Sequence, residues 1–293
     1  MGNNKPFWIA VCWILVCTVS VARAETQWNF LVKAERDHQS FGDGNADLDT
    51  VTLSPSVQAG DWSITASLPW QHIEGTYFIN NVYPNLAYLC QQVQSMNTLQ
   101  KLLAISTGKV TPAQLSYCSN HSGVVNATQQ DQVEGFGDFD IFVNYYLPLD
   151  SRRLTGSLGV GYTHDNGDVD KGLGTGTRDT YAETAWLLDL HPVSLLLTLG
   201  HDHVVNNDTA FDLKDHSYGS LDISWQLLDA AALGVEYHYQ GSNSDALDDF
   251  DYTTGYLRLG RGPGWGARLF ATDYHGQSGF PDQEYGASLS YLF

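Results

Sequence analysis

The stretch WSITASLPW, Trp62 to Trp70, decides the fold. Trp62, Ile64, Ala66, Leu68 and Trp70 share one parity while Ser63, Thr65 and Ser67 share the other, so an extended chain here has one apolar and one polar face. The same period recurs in AALGVEYHYQ, where Ala231, Leu233, Val235, Tyr237 and Tyr239 oppose Ala232, Gly234, Glu236, His238 and Gln240. Working outward, twelve such segments are expected, at roughly 26–36, 48–58, 62–73, 138–149, 154–164, 178–190, 193–204, 215–227, 231–240, 249–260, 265–275 and 283–293. Their length is that of a tilted strand crossing a bilayer, about 9–11 residues, rather than the roughly 5–6 of a soluble sheet.

The connections alternate too. Short turns at 59–61, 150–153, 191–192, near Leu228 and at 262–264 take turns with longer loops rich in Asp, Asn and Gly. An even strand number with short turns at one rim and long loops at the other predicts an all-β fold, a twelve-stranded antiparallel transmembrane barrel. Aromatic residues on the apolar faces, among them Trp28, Trp62, Trp70, Tyr162, Trp225, Trp265 and Tyr285, suit the two membrane interfaces. The final segment ends in Phe293, the kind of aromatic terminus that barrel assembly machinery recognises in bacterial outer-membrane proteins.

At the other end, MGNNKPFWIAVCWILVCTVSVARAETQ carries Lys5, an apolar run from Phe7 to Ala22 and Ala-Arg-Ala at 22–24. This predicts a secretory leader over 1–24, too short in its apolar run to span a bilayer, and a mature domain over 25–293 in the outer membrane of a two-membrane bacterium. Losing Lys5 and Arg23 with the leader takes the 14 basic residues to 12 against 33 acidic ones, a net charge of −21. A balance that acidic excludes nucleic acid as a partner, since a protein neutralises phosphates with Lys and Arg. Cys90 and Cys118 remain, in a compartment where disulfides persist, and are expected to be joined. They lie in the segment 74–134, which breaks the period-two pattern; Leu99, Leu102 and Leu103 fall at helical spacing, and Thr111-Pro112 reads as a helix start. A long, partly helical external loop, stapled by the disulfide, is the expectation.

Three stretches, LDTVTLSPSVQAGDWSITASLPW (48–70), GFGDFDIFVNYYL (135–147) and KGLGTGTRDTY (171–181), resemble the outer-membrane proteins named for the meta-pathway of phenol degradation, a transporter-like barrel family. Gly135, Gly137, Asp138, Gly172, Gly174 and Gly176 carry the resemblance. It implies a channel or uptake role for small, hydrophobic or aromatic solutes. The chain departs from the family in reading GYTHDNGDVD where a Lys-x-Pro-Thr segment is usual, and in the length of its 74–134 insertion.

With the apolar parity facing lipid, the other parity lines the lumen: Lys33, Glu35, Asp140, Glu183, Asp202, Asp222, Glu236, Arg258 and Arg268. Arg258 and Arg268 each lie five residues from Pro263, so the hairpin sets them opposite one another, with Asp222 and Glu236 as the nearest acids. A charged lumen constriction of these four is one reading and a wall-holding salt-bridge network the other. No cofactor and no metal is expected. His201 and His203 share one side of a strand near Asp208, and GDGNADLD (42–49) and DNGDVDKG (165–172) alternate oxygen ligands, but the first places Leu48 where a calcium loop needs glycine. Lipid and lipopolysaccharide surround such a barrel. Against an enzyme, the chain has neither Gly-x-Ser-x-Gly nor His-Glu-x-x-His, leaving a non-conducting structural or adhesive barrel, or a lipid hydrolase, as rivals to a channel. The three alternate glycines at 172, 174 and 176 look like a phosphate loop, yet Thr177 stands in place of the last glycine of that fingerprint and a strand follows, not a helix. They are expected to bend the backbone at a barrel rim.

Overall fold

Outward-facing apolar side chains and inward-facing polar ones alternate along most strands of the computed structural model. It describes residues 26–41, 44–75, 132–168, 173–207, 213–243, 249–260, 262–275 and 281–293, with Val93, Gln100, Lys101 and Leu115. The strands are β1 (Thr26–Phe41), β2 (Gly44–Ala59), β3 (Trp62–Gly75), β4 (Gln132–Phe136), β5 (Phe139–Tyr146), β6 (Leu154–His164) and β7 (Thr177–Asp189). They continue with β8 (Val193–Asn207), β9 (His216–Leu228), β10 (Ala231–Gln240), β11 (Phe250–Leu259), β12 (Gly264–His275) and β13 (Gln283–Leu292). Apart from β4 and β5, each pairs antiparallel with its sequence neighbours, and β1 pairs with β13 from Leu31↔Leu292 to Ser40↔Gln283, which closes the sheet.

β4 and β5 are two halves of one stave, because both pair with β3, through Trp70↔Phe136 and Trp62↔Tyr145. Counted as staves the barrel has twelve. The break falls at Gly137-Asp138, opposite Pro69, which has no N–H to give; Gly137 N–H still donates to Pro69 O, 2.9 Å. Beyond this break β6 does not follow. Its pairing with β5 ends at Phe139↔His164, so among the described residues β4 has a strand on one side only.

The apolar face is bare of protein. Trp28 is 76% exposed, Val160 58% and Trp265 65%, and Leu158, Ile223, Leu233, Val235 and Leu289 join them in a band around the wall. Such a band is costly in water and natural in hydrocarbon, so the exposed face is the lipid-contacting one. The buried apolar group is correspondingly small: Ala46, Ile73, Val133 and Leu173, with Leu48 against them.

Several boundaries differ from expectation. Residues 44–49 are not a loop, because β2 begins at Gly44 and pairs through it to Phe41; Asp47 and Asp49 therefore stand on a strand. Likewise 132–134 of the expected 74–134 loop are strand, held by Ile73↔Val133. Glu74 and Gly75 belong to β3, and the rest of that loop, its disulfide between Cys90 and Cys118, and the leader 1–24 lie outside the described residues, apart from Val93, Gln100, Lys101 and Leu115, whose backbone is helical.

Candidate functional site

The lumen is lined as the parity predicts. Lys33, Glu35, Asp140, Glu183, Asp202, Asp222, Glu236, Arg258 and Arg268 alternate with the exposed apolar positions on their strands. Sequence reasoning missed Asp37, Asp179 and Glu284, which extend the same parity toward the outer rim. The signal was present, since Asp37 is two residues beyond Glu35, but β1 runs past the expected end at 36. Asp37 is only 5% exposed, against the bare backbone of Gly286, where a Cβ would meet Asp37 Oδ1 at 2.3 Å. With Asp189 at the inner end of β7, carboxylates outnumber cations on this face by ten to three among the described residues.

Three tyrosines impose order on these acids. Tyr181 O–H reaches Asp140 at 3.0 Å, Tyr218 O–H reaches Glu183 at 3.1 Å, and Tyr256 O–H reaches Asp222 at 2.7 Å. In each case the tyrosine and its acid are two strands apart. The strand between them carries a glycine directly opposite the tyrosine: Gly161↔Tyr181, Gly200↔Tyr218 and Gly234↔Tyr256. A Cβ at those glycines would fall within 2.0, 2.2 and 2.3 Å of the ring. Glycine is therefore required for the ring to lie flat across the strand and hand its proton to the acid beyond. Because β7 and β9 carry both a tyrosine and an acid, the three clasps link into an arc along the wall from β5 to β11.

At the end of that arc lies the predicted charged quartet. The register sets Arg258 opposite Arg268, as expected from the hairpin count, and also sets Glu236 opposite Asp222. Arg268 N–H contacts Glu236 at 3.7 Å, and its guanidinium lies 4.7 Å from the Tyr256 ring centroid and 5.4 Å from that of Phe270. Arg258 stands apart from them. It lines a recess of about 220 Å³ with Gln226, Ala231, Ala232, Gly260 and Gly262, and makes no ion pair among the described residues.

Of the residues that carry the resemblance, Gly135, Gly137, Asp138, Gly174 and Gly176 meet in one place, at the broken stave. Asp138 accepts from Gly167 N–H (2.9 Å), Thr175 N–H (2.6 Å) and Thr175 O–H (2.9 Å). Asn166 accepts from Phe139 N–H at 2.7 Å and donates to Gly137 O at 3.0 Å. The chain between β6 and β7 thus folds back along β4 and seats Leu173, 3% exposed, beside Val133 and Ile73. Gly135 and Gly174 make the fit possible: a Cβ would lie 2.7 Å from Leu173 Cδ1 at the first and 2.6 Å from Asp138 Oδ1 at the second. Gly176 adopts φ +70°, a turn conformation glycine adopts freely. The expected bend at the rim is therefore part of a seal beside β4; Gly172 lies outside the described residues. Arg178 Nε–H donates to Asp165 Oδ1 at 2.7 Å, so the basic residue of the apparent phosphate loop is a strap for it.

The rival chemistries have these placements. His203 bonds Asp215 at 2.8 Å and His201 bonds Ser217 Oγ at 3.0 Å on the lipid side, while Asp208 lies outside the described residues. No group of three or more His, Cys, Asp or Glu converges as a metal site among the described residues. The second imidazole nitrogen of His201 has no carboxylate partner among the described residues.

No family model and no curated protein matches the chain. Solved structures do. An outer membrane channel from Pseudomonas putida F1 aligns over 91% of this chain and 95% of its own, with a TM-score of 0.57 at 8% identity. The likeness is one of fold. The KdgM porin aligns over 90% of this chain and 99% of its own, at 8% identity and a TM-score of 0.49.

Proposed function

We propose that the chain is an outer-membrane channel that passes small solutes and favours cations over anions. The observation carrying this reading is the acid excess of the lumen face in a closed barrel whose outer face is apolar. Rings of Asp and Glu side chains confer cation preference on a pore. In a planar bilayer the refolded protein is expected to conduct, with a reversal potential displaced toward the cation in a salt gradient. Neutralising Asp222 and Glu236 together (Asp222→Asn/Glu236→Gln) should bring that potential back by about half. Zero conductance from the native protein would instead support a structural or adhesive barrel.

The quartet of Arg258, Arg268, Asp222 and Glu236 acts in this reading as the charged constriction. Removing both cations (Arg258→Ser/Arg268→Ser) is expected to steepen cation preference and raise conductance severalfold; unchanged currents would reduce the quartet to a wall-holding network. A second reading draws on the free edge of β4. A small hydrophobic or aromatic solute of the kind the family resemblance implies would pass sideways between lumen and bilayer there, when the Leu173 segment withdraws. The leader, the disulfide across the large loop, lipopolysaccharide around the wall and assembly by the barrel machinery belong to the same proposal.

A further inference from the structure

The outward face carries a second pattern just above the apolar band, at the outer ends of the strands. Six histidines among the described residues point out of the barrel there; His201 bonds Ser217, and the other five each lie beside a carboxylate on their own or a neighbouring element. His38 Nδ1 lies 2.6 Å from Asp47, and Arg36 lies 3.7 Å from both Asp47 and Asp49. His72 lies 3.8 Å from Glu134 and also bonds Gln132. His164 lies 3.5 Å from Asp165, which Arg178 shares, and His203 lies 2.8 Å from Asp215. His275 sits between Asp251 and Asp273, 3.1 Å from each, and Tyr237 O–H donates to Asp251.

The register makes part of this ring continuous. Arg36, Asp49, His72 and Glu134 stand side by side across four strands, so basic and acidic groups alternate along the rim. Aromatic rings accompany the histidines: Trp70 stacks on His72, Tyr162 bonds and stacks on His164, and Tyr285 packs 4.9 Å from His38. Trp and Tyr mark the boundary between hydrocarbon and headgroups. Groups at or just above them are at headgroup depth, where the neighbours are lipid phosphates.

We propose that His38, His72, His164, His203 and His275, with their carboxylates, form a girdle that docks the phosphate-bearing headgroups of outer-leaflet lipid in two ways, through divalent cations near neutrality and directly when the imidazoles are protonated. The inference rests on the membrane placement proposed above. With neutral imidazoles, the acids of the girdle exceed Arg36 and Arg178 and repel phosphate, so a divalent cation must bridge carboxylate to phosphate. Protonation cancels each partner's charge and gives the ring N–H donors that phosphate oxygens accept. The bond from His203 already holds the Asp215 carboxyl below the usual carboxylate range, as an ion pair would. His216 and His238 face the lumen and take no part.

The test uses the folded full-length mature chain in phosphatidylcholine vesicles with and without lipopolysaccharide, and reads lipopolysaccharide binding and the unfolding midpoint at pH 7.5 and 5.5, with magnesium or with EDTA. At pH 7.5 EDTA should weaken binding about tenfold; at pH 5.5, below the ordinary histidine pKa of about 6.5, it should change binding by less than about twofold. Replacing the five histidines with asparagine should abolish the rescue at pH 5.5 and leave the magnesium-dependent binding at pH 7.5 intact. His72→Asn/His275→Asn, a milder change on opposite sides of the barrel, should lose part of the rescue if the fivefold variant does not fold. Binding at pH 7.5 that ignores EDTA, or acid rescue that persists without the histidines, overturns the girdle. Failure of the native chain to enter any vesicle overturns the membrane placement itself, and with it this inference.

Discussion

Replacing Gly200 with alanine is expected to destabilise the folded barrel by about 2–3 kcal/mol, far more than a methyl group costs on an open strand. The added Cβ would fall 2.2 Å from Tyr218 Cζ and 2.4 Å from its hydroxyl. The backbone of β8 is held by neighbours on both sides, so the ring must move. Moving it breaks the hydrogen bond to Glu183, and bonds to charged groups contribute about 1.5–3 kcal/mol. Gly255 supplies the control, because it lies on a neighbouring part of the wall with nothing within 4 Å of the added atom. Gly255→Ala should be neutral, or stabilising by about 0.4–1 kcal/mol through the less flexible unfolded chain. Urea titration of both variants in vesicles, followed by tryptophan fluorescence, measures the difference. In a Tyr218→Phe background the hydroxyl bond is already absent, so Gly200→Ala should lose at least about 1 kcal/mol of its effect. Equal costs for Gly200→Ala and Gly255→Ala would show that the tyrosine clasp has no hold on stability. Gly161 and Gly234 follow the same logic with Tyr181 and Tyr256.

These clasps mark the limit of what the chain discloses on its own. Period-two alternation made the staves legible, and Leu154–His164 and Ala231–Gln240 fall where the pattern puts them. It also made the facing arginines legible, because one hairpin turn fixes one register. A tyrosine reaching an acid two strands away depends on two registers at once, and each turn between them can slip the pattern by a residue. Glycines inside strands read locally as weak points. Only their partners across the sheet show that Gly161, Gly200 and Gly234 make room for a ring. The GDGNADLD segment failed for the opposite reason: its Asp, Asn and Gly content resembles a loop, while pairing with β1 holds residues 44–49 extended and gives Asp47 and Asp49 partners in His38 and Arg36. Local propensity lost to sheet pairing there.

Asp138→Ala should have the second large effect, and it separates the two routes proposed for a solute leaving the lumen. The carboxylate accepts from two backbone N–H groups and one hydroxyl of the segment between β6 and β7, and alanine leaves the two amides without their acceptor. That loss amounts to about 2–4 kcal/mol of local stability, enough to release the segment while the paired strands hold. Leu173 would then leave its place beside Ile73 and Val133, and β4 would present its free edge to the bilayer. Protease cleavage within 165–176 is expected to rise about tenfold or more, with the rest of the barrel still resistant. Axial ion conductance should change little, since the segment lies against the wall and the charged lumen residues stay in place. Entry of a small apolar fluorophore from the bilayer into the lumen should increase. Asp138→Asn keeps one acceptor oxygen and should give an intermediate result. A conductance that rises without greater apolar entry would make the segment a plug of the aqueous path, and the sideways route would fall; greater apolar entry at constant conductance would make Asp138 the latch of a door in the wall.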